Sequence, residues 1–129
     1  MVQGHFLAID PDECRRLLAD ANVGRVCWVS PAGLQVLPVN YGLAEGAIVF
    51  RVAPGSLLAE LVQPVDVVFQ VDDLDSTTAT GWSVLVRGTT TQFAGDVSAV
   101  VPHPWAPGER TVGVAVIPST LSGRSVVAD

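Results

Sequence analysis

Arg51 and Ser56 are the side chains whose types and spacing best suit the binding of an anion. Arg51 ends a run of β-type residues, and the turn at residues 53–56 leads into an apolar run at helical spacing that starts at Leu57. A phosphate at this turn would meet a guanidinium, a hydroxyl and the free N–H groups of a helix start. The pattern predicts an anion site, and it leaves open a solvated strand-end arginine followed by an ordinary turn.

Few other residues in the sequence could carry chemistry. The two histidines, His5 and His103, have no metal-ligand neighbour at useful spacing, so we predict neither a metal site nor a histidine-based triad. The carboxylates between residues 72 and 75 lack the ligand spacing of a calcium loop, and we interpret them as a solvated, turn-forming acidic loop. There is no lysine to form a Schiff base. An enzyme of this sequence must therefore take its chemistry from a bound cofactor, and we predict no catalytic side chain.

The charge and hydropathy of the chain exclude two classes of partner. All 7 basic residues are arginine, and 13 acidic residues give a net charge of −6, so nucleic acid would be repelled. No apolar run approaches the roughly 20 residues that span a bilayer, and the N-terminus lacks a basic segment before an apolar block. We expect a cytoplasmic protein with no nucleic-acid or membrane partner. Its two cysteines, Cys14 and Cys27, are predicted to be buried, reduced packing residues.

The predicted elements form one domain, residues 1–129, built around a hairpin that holds the anion turn. Residues 34–41 and 47–52 are β-type runs joined by the glycine-bounded connector 42–46, which is typical of antiparallel hairpins. Residues 25–30 are predicted to add a third strand to this meander.

A helix is predicted before the meander. Asp10 caps its start, Pro11 suits the first helical position, and Glu13 reaches back to complete a capping box. Apolar residues then recur at helical spacing, and the helix is expected to end near Asn22.

Three further strands are predicted after the anion turn. A short helix over residues 57–62 is followed by a buried strand at 65–71 and by a long strand at 81–93, in which Gly88 marks a bulge or bend. A loop over 94–110 contains one helical turn at 96–100.

The last long strand is predicted at residues 111–117, and residues 118–124 lead into a short terminal segment. Residues 112–117 are apolar on both faces. One face can fill a barrel and the other needs a partner, so we predict a homodimer.

Several segments, in this order, resemble those of the pyridoxamine 5′-phosphate oxidase-like flavin-binding split-barrel family over essentially the whole chain. They are VGRV at 23–26, VLPVNY at 36–41, IVFR at 48–51, PGS at 54–56, VDD at 71–73, GWSVLVRG at 81–88, and the carboxyl end at 117–124. The resemblance implies a mainly β fold, a six-stranded antiparallel split β-barrel with small helices. It also implies a homodimer with two FMN sites at the dimer interface.

The resemblance assigns cofactor-binding roles to three groups of residues. Leu37, Pro38, Val39 and Asn40 would back the isoalloxazine ring. Arg51, Val52, Ser56 and Leu57 would occupy the phosphate-binding positions, and Trp82 and Ser83 would come from the other subunit. Val52 and Leu57 depart from the family, which usually has threonine and lysine there. Losing a charge-assisted contact and a neutral one lowers the affinity for FMN.

The implied function is an FMN-dependent oxidoreductase that transfers hydride or electrons to or from a small molecule. Two alternatives stay open. One is a relative that binds the deazaflavin F420, and the other is a non-catalytic module that holds haem, another small ligand or nothing. Oxidation of pyridoxamine phosphate itself is not expected, because the chain is short and lacks a basic pocket for a second phosphate.

Overall fold

The computed structural model describes residues 5–101 and 110–127. Its elements are, in chain order, β1 (His5–Ile9), α1 (Pro11–Asp20), β2 (Val23–Ser30), β3 (Gly33–Ala44), β4 (Ala47–Val52), a 3₁₀ helix (Leu57–Val62), β5 (Asp66–Asp75), β6 (Thr80–Gln92), α2 (Val97–Val100) and β7 (Val112–Val127). None of these helices is both long and apolar enough to cross a membrane.

Six of the strands close into a ring. The order is β7, β4, β3, β2, β5 and β6, and β6 pairs again with β7, all antiparallel. One edge of β7 is shared, because β4 pairs with its first half at Val112–Val116 and β1 with its second half at residues 123–127. The predicted six-stranded split barrel is confirmed.

The hairpin that carries the anion turn is tighter than predicted. β3 and β4 are joined by only two residues, Glu45 and Gly46, with φ of 50° and 85°. Positive φ at both positions suits the two-residue turn that matches strand twist. The predicted connector 42–46 is therefore wrong in its first three residues, which belong to β3. A Cβ atom on Gly42 would lie 2.4 Å from the carbonyl oxygen of Val100, so this glycine lets the end of α2 pack on the strand.

The acidic segment is a strand rather than a loop. Residues 72–75 continue β5 and pair with β6 as far as Asp75 and Thr80. The turn falls at residues 76–79, where Asp75 Oδ1 accepts a hydrogen bond from the Thr77 N–H at 2.9 Å. Long-range pairing with β6 outweighs the local turn preference of aspartate.

The terminal segment is also strand, because β7 runs on past residue 117. Arg87 pairs with Thr120 and Gly88 with Pro118, so Ser119 is the extra residue of a bulge. The bulge predicted at Gly88 is confirmed, and it explains how Pro118 is tolerated within a paired strand. β1 was not predicted at all, since five residues with weak alternation give little signal.

The start of α1 follows the prediction in part. Asp10 Oδ1 accepts a hydrogen bond from the Glu13 N–H at 3.0 Å, as a capping residue should. The reciprocal contact is wrong, because the Glu13 carboxylate instead accepts from Arg16 Nε at 2.9 Å. The helix ends at Asp20, two residues earlier than expected.

The core fills the ring and extends beneath α1. The largest fully buried side chains include Phe50 and Phe69. α1 closes one end of the barrel, where the Tyr41 hydroxyl donates to the carbonyl oxygen of Leu18 at 2.6 Å. Cys14 is buried there and Cys27 is half-buried on β2. Both thiols are free, and burial raises the pKa of each.

The outer face of β4 and β7 is covered by the chain itself. Val49 and Ala115 point away from the core but are 0% and 4% exposed, because Val97 of α2 and Phe93 pack against them. The expectation that residues 112–117 need a second copy to cover their outer face is therefore wrong for residues 112–116. Ile117, beyond this cover, is 51% exposed.

Candidate functional site

Arg51 lies on the outside of the barrel at the end of β4. Its neighbours Phe50 and Val52 are fully buried, and Phe50 pairs with Tyr41 of β3. The half-buried guanidinium donates from Nε to the carbonyl oxygen of Arg110 at 2.9 Å and from Nη1 to that of Val101 at 3.0 Å. Arg51 thus ties the end of α2 and the residues before β7 to the end of β4.

In the turn after Arg51, the Ser56 hydroxyl forms its hydrogen bond within the turn itself. Ser56 Oγ donates to the carbonyl oxygen of Ala53 at 2.6 Å. The predicted helix at 57–62 is a 3₁₀ helix, and Ser56 does not cap it with its side chain. Leu57 opens this helix and is 40% exposed. The turn therefore presents apolar surface and main-chain groups to a ligand.

Val52 cannot offer its side chain to a ligand. It is 0% exposed and packs in the barrel core with Ile48 and Phe50. The alternating burial of residues 48, 50 and 52 is visible in the sequence as apolar positions of a strand, so this signal was available. Only the main chain of Val52 could contact a cofactor.

The β3 segment that was predicted to back a ring divides between two faces. Leu37 and Val39 turn toward the core, whereas Pro38 is exposed and Asn40 is half-buried on the outer side. Because Tyr41 pairs with Phe50, Asn40 lies next to the end of β4. The structure thus brings this segment and Arg51 together on neighbouring strands.

A groove adjoins this pair of strands. It has a volume of about 510 Å³ and lies between the end of α1, β3 and the end of α2, with Asn22, Asn40, Gly42 and Val101 in its lining. The volume is in the range of small-molecule sites. Tyr41 is also among the lining residues, and burial raises the pKa of its phenol to about 12.

Trp82 and Ser83 lie far along the barrel from Arg51. Trp82 pairs with Ser125 of β7, whereas Arg51 pairs with Gly113 of the same strand. Twelve residues of strand separate the two positions, about 40 Å of chain at 3.3 Å per residue. Within one chain the structure does not bring Trp82 to the Arg51 end of the barrel.

Two other exposed arginines, one on β2 and one on β7, interact with groups outside the anion turn. Arg25 lies opposite Pro38, and its Nη1 atom is 3.7 Å from Asp72 Oδ1. Arg124 lies over the ring of Phe6, 5.0 Å from its centroid. The contacts that the structure gives these two guanidinium groups are therefore with Asp72 and Phe6 rather than with the Arg51 turn.

Two contacts were not foreseen from the sequence. The indole N–H of Trp28 donates to the carboxylate of Glu60, which fixes the 3₁₀ helix against β2. The Arg110 carbonyl oxygen accepts from Arg51, and the Nε atom of Arg110 is buried without a hydrogen-bond partner in the part of the chain that the structure describes. Partners 32 and 59 residues apart in sequence leave no local signal.

The cluster offers a guanidinium, an amide and apolar walls. In residues 5–101 and 110–127, no three histidine, cysteine, aspartate or glutamate side chains lie close enough to hold a metal ion. His103 falls outside the described residues. The arrangement suits the binding of a flat ring and an anion rather than acid–base chemistry by the protein.

Comparison with known proteins gives one family and several similar structures. Residues 10–125 match the family model described as pyridoxamine 5′-phosphate oxidase. An uncharacterized protein of Mycobacterium tuberculosis is 32% identical over 130 residues, which cover 94% of this chain and 86% of that protein.

The similar solved structures include FAD-binding proteins. The FAD binding protein from Mycobacterium smegmatis is 26% identical with a TM-score of 0.73, over 94% of this chain and 98% of that one. An FAD-binding protein from Mesorhizobium loti is 20% identical with a TM-score of 0.75, over 96% and 98% of the two chains. At that identity the second likeness shows the fold alone.

Proposed function

We propose, from the premise that this chain belongs to the pyridoxamine 5′-phosphate oxidase family, that it binds a flavin as a homodimer in the cytoplasm. The flavin would pass hydride or electrons to or from a small molecule. The observation that carries the proposal is that Pro38 and Asn40 face outward on the strand next to Arg51, with Asn40 in the lining of a groove.

The residues fit the ring of a flavin. Pro38 and Asn40 offer an apolar wall and an amide, and Leu37 and Val39 hold the strand in place through the core. When bound, the flavin supplies the redox chemistry. The chain's own part is to orient the ring and exclude water. The turn from Arg51 through Ser56 to Leu57, with the main chain of Val52, lies at the end where a phosphate would be.

A second copy would complete the site. Trp82 and Ser83 cannot reach the Arg51 end of their own chain, so their predicted contact with the cofactor requires the partner. An uncovered apolar patch supports this arrangement. We call it the β2–β3 patch. It consists of Val29, Leu34 and Val36, which are 71%, 80% and 58% exposed on paired strands. Exposed apolar area of this kind marks association surfaces.

The choice between FMN, FAD and F420 rests on the family resemblance, one similar structure and the state of two arginines. The family resemblance points to FMN, and the description of the M. smegmatis protein names FAD. F420, which carries a longer acidic tail, is less favoured because Arg25 is paired with Asp72 and Arg51 is bonded to carbonyl oxygens. A non-catalytic module for haem or another small ligand remains the alternative function, favoured by the neutral side chains of Val52 and Leu57.

The test is retention of a cofactor by the purified protein. Its visible absorption spectrum is recorded before and after incubation with FMN, FAD, F420 or haem and passage through a desalting column. We expect flavin bands at about one per chain. Retention of haem or F420 with neither flavin would overturn the proposal, and so would a protein that retains nothing.

Matched variants locate the site. Asn40→Phe fills the groove beside β3, so we expect it to lose retained flavin. Thr78→Phe adds the same ring in the exposed turn at residues 76–79 and should retain flavin like the wild type. Equal retention by both variants would contradict the position proposed for the ring.

A further inference from the structure

We propose that Arg110 is the cation that meets the flavin phosphate in this chain, in place of the lysine that is absent at Leu57. The inference rests on the proposed function, because it concerns the phosphate end of the same site. It assigns a binding role to a residue that the sequence did not single out, and it gives Arg51 the task of positioning that residue.

Strand register places Arg110 at the anion turn. Arg51 pairs with Gly113 and Val52 with Val112, so the chain just before β7 runs alongside the chain just after β4. The register ends at that pair, and Arg110 lies two residues before it. Arg110 thus enters β7 beside the segment that leads from β4 into the turn at residues 53–56.

Arg51 holds Arg110 in that position through the main chain. Its Nε–H donates to the Arg110 carbonyl oxygen at 2.9 Å, and its Nη1 donates to Val101 at 3.0 Å. The Nε–H is one prong of the fork with which arginine binds a phosphate in a bidentate manner. Because a carbonyl takes that prong, Arg51 is less suited to be the main phosphate ligand than its position in the sequence suggests.

Arg110 has the opposite property. Its Nε atom is buried and has no hydrogen-bond partner among residues 5–101 and 110–127, a state that is rare for a polar atom in a folded protein. A phosphate oxygen would accept charge-assisted hydrogen bonds from the Nη groups of this half-buried side chain, and it would reach the buried Nε–H only after the side chain shifts. An unsatisfied donor of a guanidinium beside an anion turn is the feature expected of a site prepared for an anion.

The remaining side chains at the turn cannot act as the main ligand of the phosphate. Ser56 donates its one hydroxyl hydrogen to Ala53, Val52 lies in the core, and Leu57 has no donor. The 3₁₀ helix has only six residues and carries Glu60 in its first turn, so it adds little attraction for an anion.

The experiment compares FMN with riboflavin, which is the same flavin without the phosphate. Dissociation constants are measured by flavin fluorescence for the wild type, Arg110→Gln and Arg110→Lys. We expect the wild type to bind FMN roughly 10- to 100-fold more tightly than riboflavin, as one charge-assisted contact implies. Arg110→Gln should abolish this preference without changing the riboflavin constant, and Arg110→Lys should restore part of it.

The control removes one positive charge elsewhere. Arg15→Gln lies on α1, where the arginine pairs with Asp12 at 2.8 Å, and it should keep the wild-type preference for FMN. Arg110→Gln keeps the main-chain oxygen to which Arg51 binds, so we expect it to fold normally.

The outcomes separate the two proposals. A wild type that binds both flavins equally, or an Arg110→Gln variant that keeps the preference for FMN, overturns the role of Arg110 and leaves the proposed function standing. Loss of thermal stability in Arg110→Gln with an unchanged ratio of the two constants would assign Arg110 a structural role only. A wild type that binds neither flavin overturns both.

Discussion

Two outer faces of the barrel carry similar apolar residues, but the chain covers one face and leaves the other exposed to solvent. On the face of β4 and β7, Val49 and Ala115 are 0% and 4% exposed beneath the short helix α2. On the face of β2 and β3, the β2–β3 patch stays open, with Leu34 80% exposed. The comparison shows that an apolar outer face does not by itself call for a second copy, because α2 together with Phe93 covers this one. The homodimer we propose must therefore rest on the face that the chain leaves open.

The largest expected effect is on the covered face. Val49→Asp places an unpaired carboxylate between β4 and α2, so the free energy of unfolding should fall by at least about 3 kcal/mol in urea titrations. Val36→Asp makes the same change on the β2–β3 patch and should leave a cooperatively folded chain. A wild-type unfolding midpoint for Val49→Asp would mean that α2 does not cover this face in solution.

A second prediction concerns the open face. Leu34→Glu should weaken association of two copies by about 2 kcal/mol, roughly 30-fold in the dimer dissociation constant, as expected for a central interface residue. Sedimentation at several concentrations measures this. Ala19→Glu adds the same charge on the exposed side of α1 and is the control. If both variants associate like the wild type, the β2–β3 patch is not the interface.

The smallest effect sharpens the description of the closed end beneath α1. Burial raises the pKa of Tyr41 from 10.0 to about 12, so the folded state keeps the phenol proton at a pH where the unfolded chain has lost it. This stabilisation is complete below pH 10 and is lost as the pH rises to 12. The free energy of unfolding should fall there by at most about 1.4 kcal/mol per pH unit.

The matched variant is Tyr41→Phe, which removes the only tyrosine of the chain. The part of the fall in the free energy of unfolding above pH 10 that comes from the tyrosine should disappear, while the part that comes from the two cysteines should stay. At neutral pH the variant should be less stable by about 1 to 3 kcal/mol, since the Leu18 carbonyl loses its donor. Parallel curves for the two proteins above pH 10 would contradict the assignment.

Much of the fold could be predicted because its signals are local. The cap at Asp10, the alternation along β6 and the bulge at Gly88 each follow from neighbouring residues. Element ends were predicted less well. Residues 72–75 and the long tail of β7 look like turns and loops, and they become strand only because β6 offers them a paired edge.

The candidate site shows the same division. The anion turn and the outward positions of Pro38 and Asn40 follow from strand alternation and turn residues. That Arg51 donates to Val101 and Arg110 does not, because those residues are 50 and 59 positions away. The inward position of Val52 could have been foreseen from the sequence, where Ile48, Phe50 and Val52 are apolar at strand spacing.

The sequence by itself determined the strands, the tight turns and the kind of chemistry the chain can support, since these depend on residue type and spacing of two to four positions. The tertiary structure alone decided which outer face is covered and which arginine of the described residues has an unsatisfied donor. It also decided that Trp82 and Arg51 pair with positions of β7 that are about 40 Å apart along that strand. Those outcomes depend on how distant segments meet when the barrel closes, and no local preference encodes that meeting.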